Sequence, residues 1–303
     1  MIDFQPFSLD IKQNYDAARL AAGERGCEYG FVNLYLWGRQ NQSFRDGHYV
    51  YFSQFHRRSV YLFPIGQGDI KPALDAIIAD AHDRGIPCRF TGMLEEECEL
   101  LNKLYPGKFH YHHDRDSFDY VYDITDLAEL KGKKFQKKRN HLNRFWATNP
   151  DAVLTPITEE NLDRCTALVE KWYRLRLEND PHADFQMEQV AIHRALAHWT
   201  ALGLEGLILT VGGEDVAMTV GSWFGGDTFD IHFEKALDIA DGAYAAINNG
   251  FAKYLREKYP TVLYLNREDD MGLEGLRKAK LSYNPHHMIE KYWACFMEDG
   301  CDY

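Results

Sequence analysis

Apolar positions along the chain recur at two different spacings, and the switches between them predict an α/β protein. Phe31 to Trp37, Tyr49 to Phe52 and Val60 to Pro64 read as strands divided by polar turns such as Arg45-Asp46-Gly47-His48. The period then lengthens. Ile70, Leu74, Ile77, Ile78 and Ala81 fall at helical spacing until Arg84-Gly85-Ile86-Pro87 halts them. Cys88 to Thr91 is a short strand, Leu94 to Tyr105 a helix with an acidic face, and Tyr120 to Ile124 another strand.

The second half repeats the alternation. Ala152 to Ile157 is strand-like; Leu162, Cys165, Val169, Trp172 and Tyr173 form the buried stripe of one helix, and Ile192, Ala195, Leu196, Trp199 and Leu202 that of the next. Leu204 to Val211 and Val216 to Phe224 flank Gly212-Gly213-Glu214-Asp215 as a hairpin, and Gly225-Gly226-Asp227 leads to a third strand. A helix from Gly242 to Tyr259 follows, with Tyr244, Ile247, Phe251, Tyr254 and Leu255 as its packed face. Then come a strand at Val262 to Leu265 and a last one at Met288 to Phe296. The pattern divides into an N-terminal unit over 1–130, a connecting helix over 131–150 and a C-terminal unit over 151–303.

Composition changes this picture little. With 303 residues, 45% of them hydrophobic, the chain can build two sizeable cores. A formal charge of -12 argues against general coating of nucleic acid, so the placement of the positive charge matters more than its total. Cys27, Cys88, Cys98, Cys165, Cys295 and Cys301 lack any CxxC or zinc-ligand spacing and read as reduced thiols of a cytoplasmic protein, with no metal site. No apolar run approaches the roughly 20 residues of a spanning helix.

Candidate chemistry gathers in two places. Lys131, Lys133, Lys134, Lys137, Lys138, Arg139 and Arg144 crowd one stretch without an acidic residue, while Phe135, Leu142, Phe145 and Trp146 give it a docking face. Such a helix is either a phosphate site or a solvated linker. Alternation along the strand after Thr228 puts Asp230, His232 and Glu234 on one face, a base with a relay, or else a hydrogen-bonded interior histidine with salt-bridged acids. The strand at Val262 ends in Asn266-Arg267-Glu268-Asp269-Asp270, where Arg267 can grip a carboxylate or phosphate, or join an internal ion-pair network. Arg277, Lys278 and Lys280 follow within one helical turn. Gly242 opens a helix whose free amides could receive an anion, although Asp238 and Asp241 are poor company for a pyrophosphate. His110, His112 and His113 read as a solvated strand edge.

Helices, a meander, a helix, a strand, a short helix and a final strand follow the order of the acyltransferase fold called GNAT. The segments GKKFQKKRNHLNRF (132–145) and YLNREDDMGLEGLRKAKLSY (264–283) resemble the family of the phosphatidylglycerol lysyltransferase C-terminal domain, itself similar to Fem-type peptidyltransferases. The resemblance implies two tandem GNAT-like units, each a mixed central sheet flanked by helices. It implies transfer of an aminoacyl group from aminoacyl-tRNA to an amine or hydroxyl, on a small molecule, peptide or lipid, with no cofactor required. Asp230, His232, Glu234, Arg267 and Glu268 would then be catalytic. Lys133, Lys134, Lys137, Lys138, Arg139, Arg144, Arg277, Lys278 and Lys280 would hold the tRNA acceptor end. An acyl-CoA-dependent N-acyltransferase using acetyl-CoA at Gly242, and a non-catalytic protein binding RNA or anionic lipid, are the competing readings.

Overall fold

A computed structural model describes residues 1–23, 25–55 and 58–297. The chain separates into two compact units. One comprises Met1–Asp119, Asp269–Leu273 and the C-terminal residues from Met288; the other comprises Tyr120–Glu268 and Glu274–His287. Each is built on a mixed sheet flanked by helices, and each contains one parallel strand pair joined through a helix.

In the first unit the parallel pair is Arg58–Leu62 with Arg89–Met93, linked by the helix Lys71–Arg84. Around Phe90, Tyr61 and Phe63 packs a core that also takes in Leu74, Ile77 and Leu101. The expected strand at Phe31 is instead the helix Phe31–Trp37. Gly38 closes that helix in the left-handed region at φ 58° and donates its N–H back to Leu34 at 3.1 Å. A helix this apolar on every side is a buried one, and over seven residues its pattern cannot be told from that of a core strand.

The last strand also differs from its expected place. Tyr292–Phe296 lies between Arg89–Met93 and Phe109–His113, antiparallel to both, so the end of the chain completes the sheet of its beginning. Phe109–His113 is the edge strand that the three histidines suggested, and His113 pairs there with Glu290 at 2.9 Å. Cys27, Cys88, Cys98 and Cys165 carry thiols as expected, but Cys295 is disulfide-bonded and not the reduced thiol expected of it; Cys301 lies outside the described residues.

Just before that last strand, Lys291 is almost wholly buried, with Nζ 2.5 Å from Glu28 and 2.7 Å from Asp119. Two carboxylates out of water are tolerable only beside such a cation. Burial still pushes the Glu28 carboxyl up to about 7, with Lys291 opposing the rise and Asp119 adding to it.

In the second unit the strand order runs Asp119–Asp123, Tyr264–Asn266, Thr228–Ala236, Glu214–Gly225, Leu204–Val211 and Val153–Pro156. Thr228–Ala236 and Tyr264–Asn266 are parallel, and the helix Ala243–Lys258 crosses between them. Its buried stripe is Ala243, Ala246, Ile247, Gly250, Phe251 and Leu255, whereas Tyr244, expected within it, is exposed. Among the described residues, no helix is long and apolar enough to cross a membrane.

Replacing Lys291 by Met is expected to destabilise the fold by about 3–5 kcal/mol, because it strands two buried carboxylates. Denaturant unfolding measures this, and adding Asp119→Asn should return part of the loss. Glu28 binds its proton more tightly folded than unfolded. Its contribution is therefore complete below about pH 4.5 and is lost as pH rises through about 7. The pH slope of stability in that window should flatten in Glu28→Gln.

Candidate active site

The strand Thr228–Ala236 pairs antiparallel with Glu214–Gly225, and the pairing slips at two points, one of them beside the candidate site. Ile231 and Phe233 stand opposite the consecutive residues Gly221 and Val220, so His232 is the extra residue of a β-bulge. Gly221 permits the close approach, since a Cβ there would run into the Asp230 carbonyl and the Phe229 ring. Beyond the bulge, alternation resumes one residue out of step. Asp230 stands opposite Ser222 on one face, whereas Glu234 stands opposite Thr219 on the other. The common face expected for Asp230, His232 and Glu234 does not form.

His232 is held by neighbours the strand pattern did not name. Its Nε2 lies 2.8 Å from Ser222 Oγ and its Nδ1 3.4 Å from Glu268 Oε1. Asp230, fully buried, is farther from Nδ1 at 3.8 Å, beyond hydrogen-bond reach. Glu268, not Asp230, therefore engages the imidazole. Glu268 reaches it because its backbone sits in the left-handed region at φ 56°, with its N–H donated to Asn266 Oδ1 at 2.8 Å. Donor atoms of Asp230, His232 and Glu268 all lie within 4.8 Å of one another, a spacing that could hold a cation.

On the opposite face Glu234 organises a second group. Arg267 Nη2 donates to its Oε1 at 2.9 Å, and Asn248 Nδ2, from the crossover helix, donates to its Oε2 at 3.3 Å. Arg267 thus pairs with Glu234 and not within the run of acids that follows it. The guanidinium lies near two tyrosine rings, 5.7 Å from the centroid of Tyr122 and 5.4 Å from that of Tyr283. Burial works against its charge, but Glu234 and the two tyrosines more than offset this, and its pKa stands above the ordinary value. Burial likewise pushes the Tyr283 hydroxyl up to about 12.

The basic helix contributes one side chain here. Gln136–Thr148 docks by Leu142 and Phe145, behind the buried Phe135, and Lys138 Nζ lies 3.9 Å from the Tyr283 ring centroid. Burial first, and the nearby Arg267 charge second, draw the Lys138 ammonium below its ordinary pKa. Lys138, Tyr283, Arg267 and Glu234 thus form one connected group.

Other predicted cations have different work. Arg139 donates to the backbone carbonyls of Leu130 and Gly132, and Lys280, nearly buried, donates to those of Arg267 and Glu268, holding the turn that carries both side chains. Neither belongs to an open cationic surface. Lys134 pairs with Asp126 at 2.7 Å, and Arg144 with Asp241 at 2.6 Å. Lys133, Lys137 and Lys278 are exposed, and Arg277 is half-buried. Gly242 caps the crossover helix at φ 91°, with Phe145 and His141 of the basic helix against the space a Cβ would need. That packing fills one side of the position proposed for a pyrophosphate.

Ser222, Thr219, Asn248, Tyr122 and Tyr283 went unnoticed in the sequence. Thr219 was recoverable from hairpin register, had the bulge been foreseen. The tyrosines come from distant stretches that only the sheet order brings beside Arg267.

Residues 20–295 match the family described as phosphatidylglycerol lysyltransferase, C-terminal. A conserved protein of unknown function from Bacteroides thetaiotaomicron VPI-5482 is 38% identical, with a TM-score of 0.91 over 98% of this chain and 100% of that one. L-PGS from Bacillus licheniformis is alike in fold, at 15% identity and a TM-score of 0.68 over 97% and 93% of the two chains. So is a tandem GNAT protein from the clavulanic acid biosynthesis pathway, at 10% identity and 0.53 over 99% of each. An uncharacterised protein of Mycoplasmoides gallisepticum is 25% identical over 177 residues, which span 58% of this chain and about half, 55%, of that relative. The two mixed sheets are tandem GNAT-like units, and the chain belongs to the phosphatidylglycerol lysyltransferase C-terminal domain family.

Proposed function

We propose that the protein is an acyltransferase that moves an aminoacyl group from a charged tRNA, in the cytoplasm, to an amine or hydroxyl acceptor. Family membership supports acyl transfer in general. The observation that carries the finer reading is the group just described, in which a lysine of the basic helix meets the same tyrosine as the arginine paired to Glu234. Cations for a phosphate-bearing donor and a carboxylate for proton transfer thereby share one face of the sheet.

The roles follow from the atoms. The nucleophile attacks the ester carbonyl carbon directly, so no enzyme nucleophile and no cofactor is called for. Glu234 takes the proton the nucleophile sheds. Arg267 Nη1 is buried without a hydrogen-bond partner, a donor available to the oxygen that becomes negative in the tetrahedral intermediate. The ester C–O bond to the terminal ribose then breaks, and the proton leaves with the ribose oxygen. Lys138, with the exposed Lys133 and Lys137, faces the donor's phosphates. His232, on the other face, acts here as a support that fixes Glu268 and so the turn bearing Arg267.

Binding of charged tRNA is expected to weaken steeply with salt, and Lys138→Ala to lower the log–log slope by about one unit. Filter binding across a salt series measures this, and a slope indifferent to salt would end the tRNA reading. In Glu234→Gln, release of a labelled aminoacyl group from tRNA should slow by about 10²–10⁴-fold with tRNA affinity retained. Full activity in that variant would remove Glu234 from the chemistry.

A further inference from the structure

On the face of the second sheet turned away from Glu234, three donor atoms meet. His232 Nδ1 lies 3.4 Å from Glu268 Oε1 and 3.8 Å from Asp230 Oδ2, and the three groups offer ligand atoms that all lie within 4.8 Å of one another. The side chains of His232 and Asp230 are 2% and 0% exposed, whereas Glu268, at 19%, opens the group to solvent. Both separations are long for a hydrogen bond, whose N···O distance centres near about 2.9–3.0 Å. They are closer to another spacing, since two ligands about 2.0–2.1 Å from a tetrahedral zinc ion stand about 3.4 Å apart.

The surroundings fix each donor. The β-bulge takes the imidazole out of ordinary alternation. Ser222 Oγ, 2.8 Å from Nε2, accepts the N–H of that nitrogen, which leaves the Nδ1 lone pair directed at the two carboxylates. Glu268 is brought up by a backbone at φ 56°, uncommon for a residue with a side chain, and is pinned there by the fully buried Asn266. Two backbone irregularities from separate segments thus converge on one imidazole nitrogen, and such outliers cluster at functional sites. Carboxylates this close repel, and a positive charge between them offsets the repulsion. An imidazolium is one such charge, but its Nδ1 proton points at only one oxygen. A metal ion engages all three donors at once.

We infer that Asp230, His232 and Glu268 form a binding site for a divalent transition-metal cation of the zinc type, with Ser222 orienting the histidine. One imidazole beside two carboxylates selects zinc and its neighbours in that series over magnesium and calcium, which take oxygen donors. Three protein ligands leave a fourth position for water, on the side where Glu268 is exposed. The inference stands apart from the transfer reading. Glu268 follows Arg267 in the chain, so an ion bound to it also fixes the turn that aims the guanidinium at Glu234.

Calorimetry on the full chain, stripped with a chelator and then titrated with zinc chloride, tests the site. Saturable binding of one ion per chain is expected, with magnesium unable to compete and with a rise in Tm that the chelator reverses. Ser222→Ala, which keeps all three ligands, should weaken binding about 10–100-fold, as loss of a partner behind a metal-bound histidine does. His232→Gln and Glu268→Gln should each abolish it, with circular dichroism confirming the fold. The exposed His286 and His287, whose Nδ1 atoms lie 2.9 Å apart, offer zinc a second place to settle. Binding that survives His232→Gln and disappears in the double variant His286→Ala/His287→Ala therefore overturns the proposal. So do equal competition by magnesium, indifference to Ser222→Ala, and absence of zinc binding. Zinc binding as expected by a chain that releases no aminoacyl group from tRNA leaves this site standing and removes the transfer reading alone.

Discussion

One inserted residue governs the chemistry of the second unit. A strand delivers alternate side chains to alternate faces, and the bulge at His232 resets that alternation between Asp230 and Glu234. Without it, all three polar groups would crowd one side of the sheet. With it, a histidine–carboxylate pair forms on one face and a carboxylate–guanidinium pair on the other, both reaching the turn after Tyr264–Asn266. That turn is itself secured by Lys280, whose ammonium binds the carbonyls of Arg267 and Glu268. The bulge sets the directions, and the turn supplies partners for both.

The two faces carry unequal electrical balance. Around Glu234 stand Arg267 and Lys138, two cations to one carboxylate, and the drop in the Lys138 pKa reflects burial sharpened by that excess. An anion, or an oxygen gaining negative charge, relieves it. The aromatic walls of Tyr122 and Tyr283 keep the cations close to π faces, which tolerate them better than aliphatic surface would. Such a group is stable enough to persist in the fold while still favouring an incoming negative partner.

Much of the architecture was legible in the sequence because it rests on local signals. The three-strand meander announced itself through Gly212-Gly213 and Gly225-Gly226, and the crossover helix through its apolar spacing and the Pro260 that follows it. What escaped depends on non-local pairing. Phe31–Trp37 read as a strand because a short buried helix has no polar face to betray its period. Alternation placed Asp230 with Glu234 because a bulge is a property of two strands, and only one was in view. The count of lysines foretold a basic surface, but not that Arg139 and Lys280 would turn inward to backbone carbonyls.

The return of Tyr292–Phe296 to the first sheet bears on how the protein is made. Domains usually fold in the order in which they leave the ribosome. Here the N-terminal unit lacks an interior strand, and the lysine that neutralises Glu28 and Asp119, until residues 291–296 have been synthesised. The second unit also draws on late residues, since Glu274–His287 belongs to it and Lys280 holds its turn. The earlier half of the chain thus waits with an open sheet until residues 291–296 have emerged, and until then its strand edges are available to a chaperone or a protease.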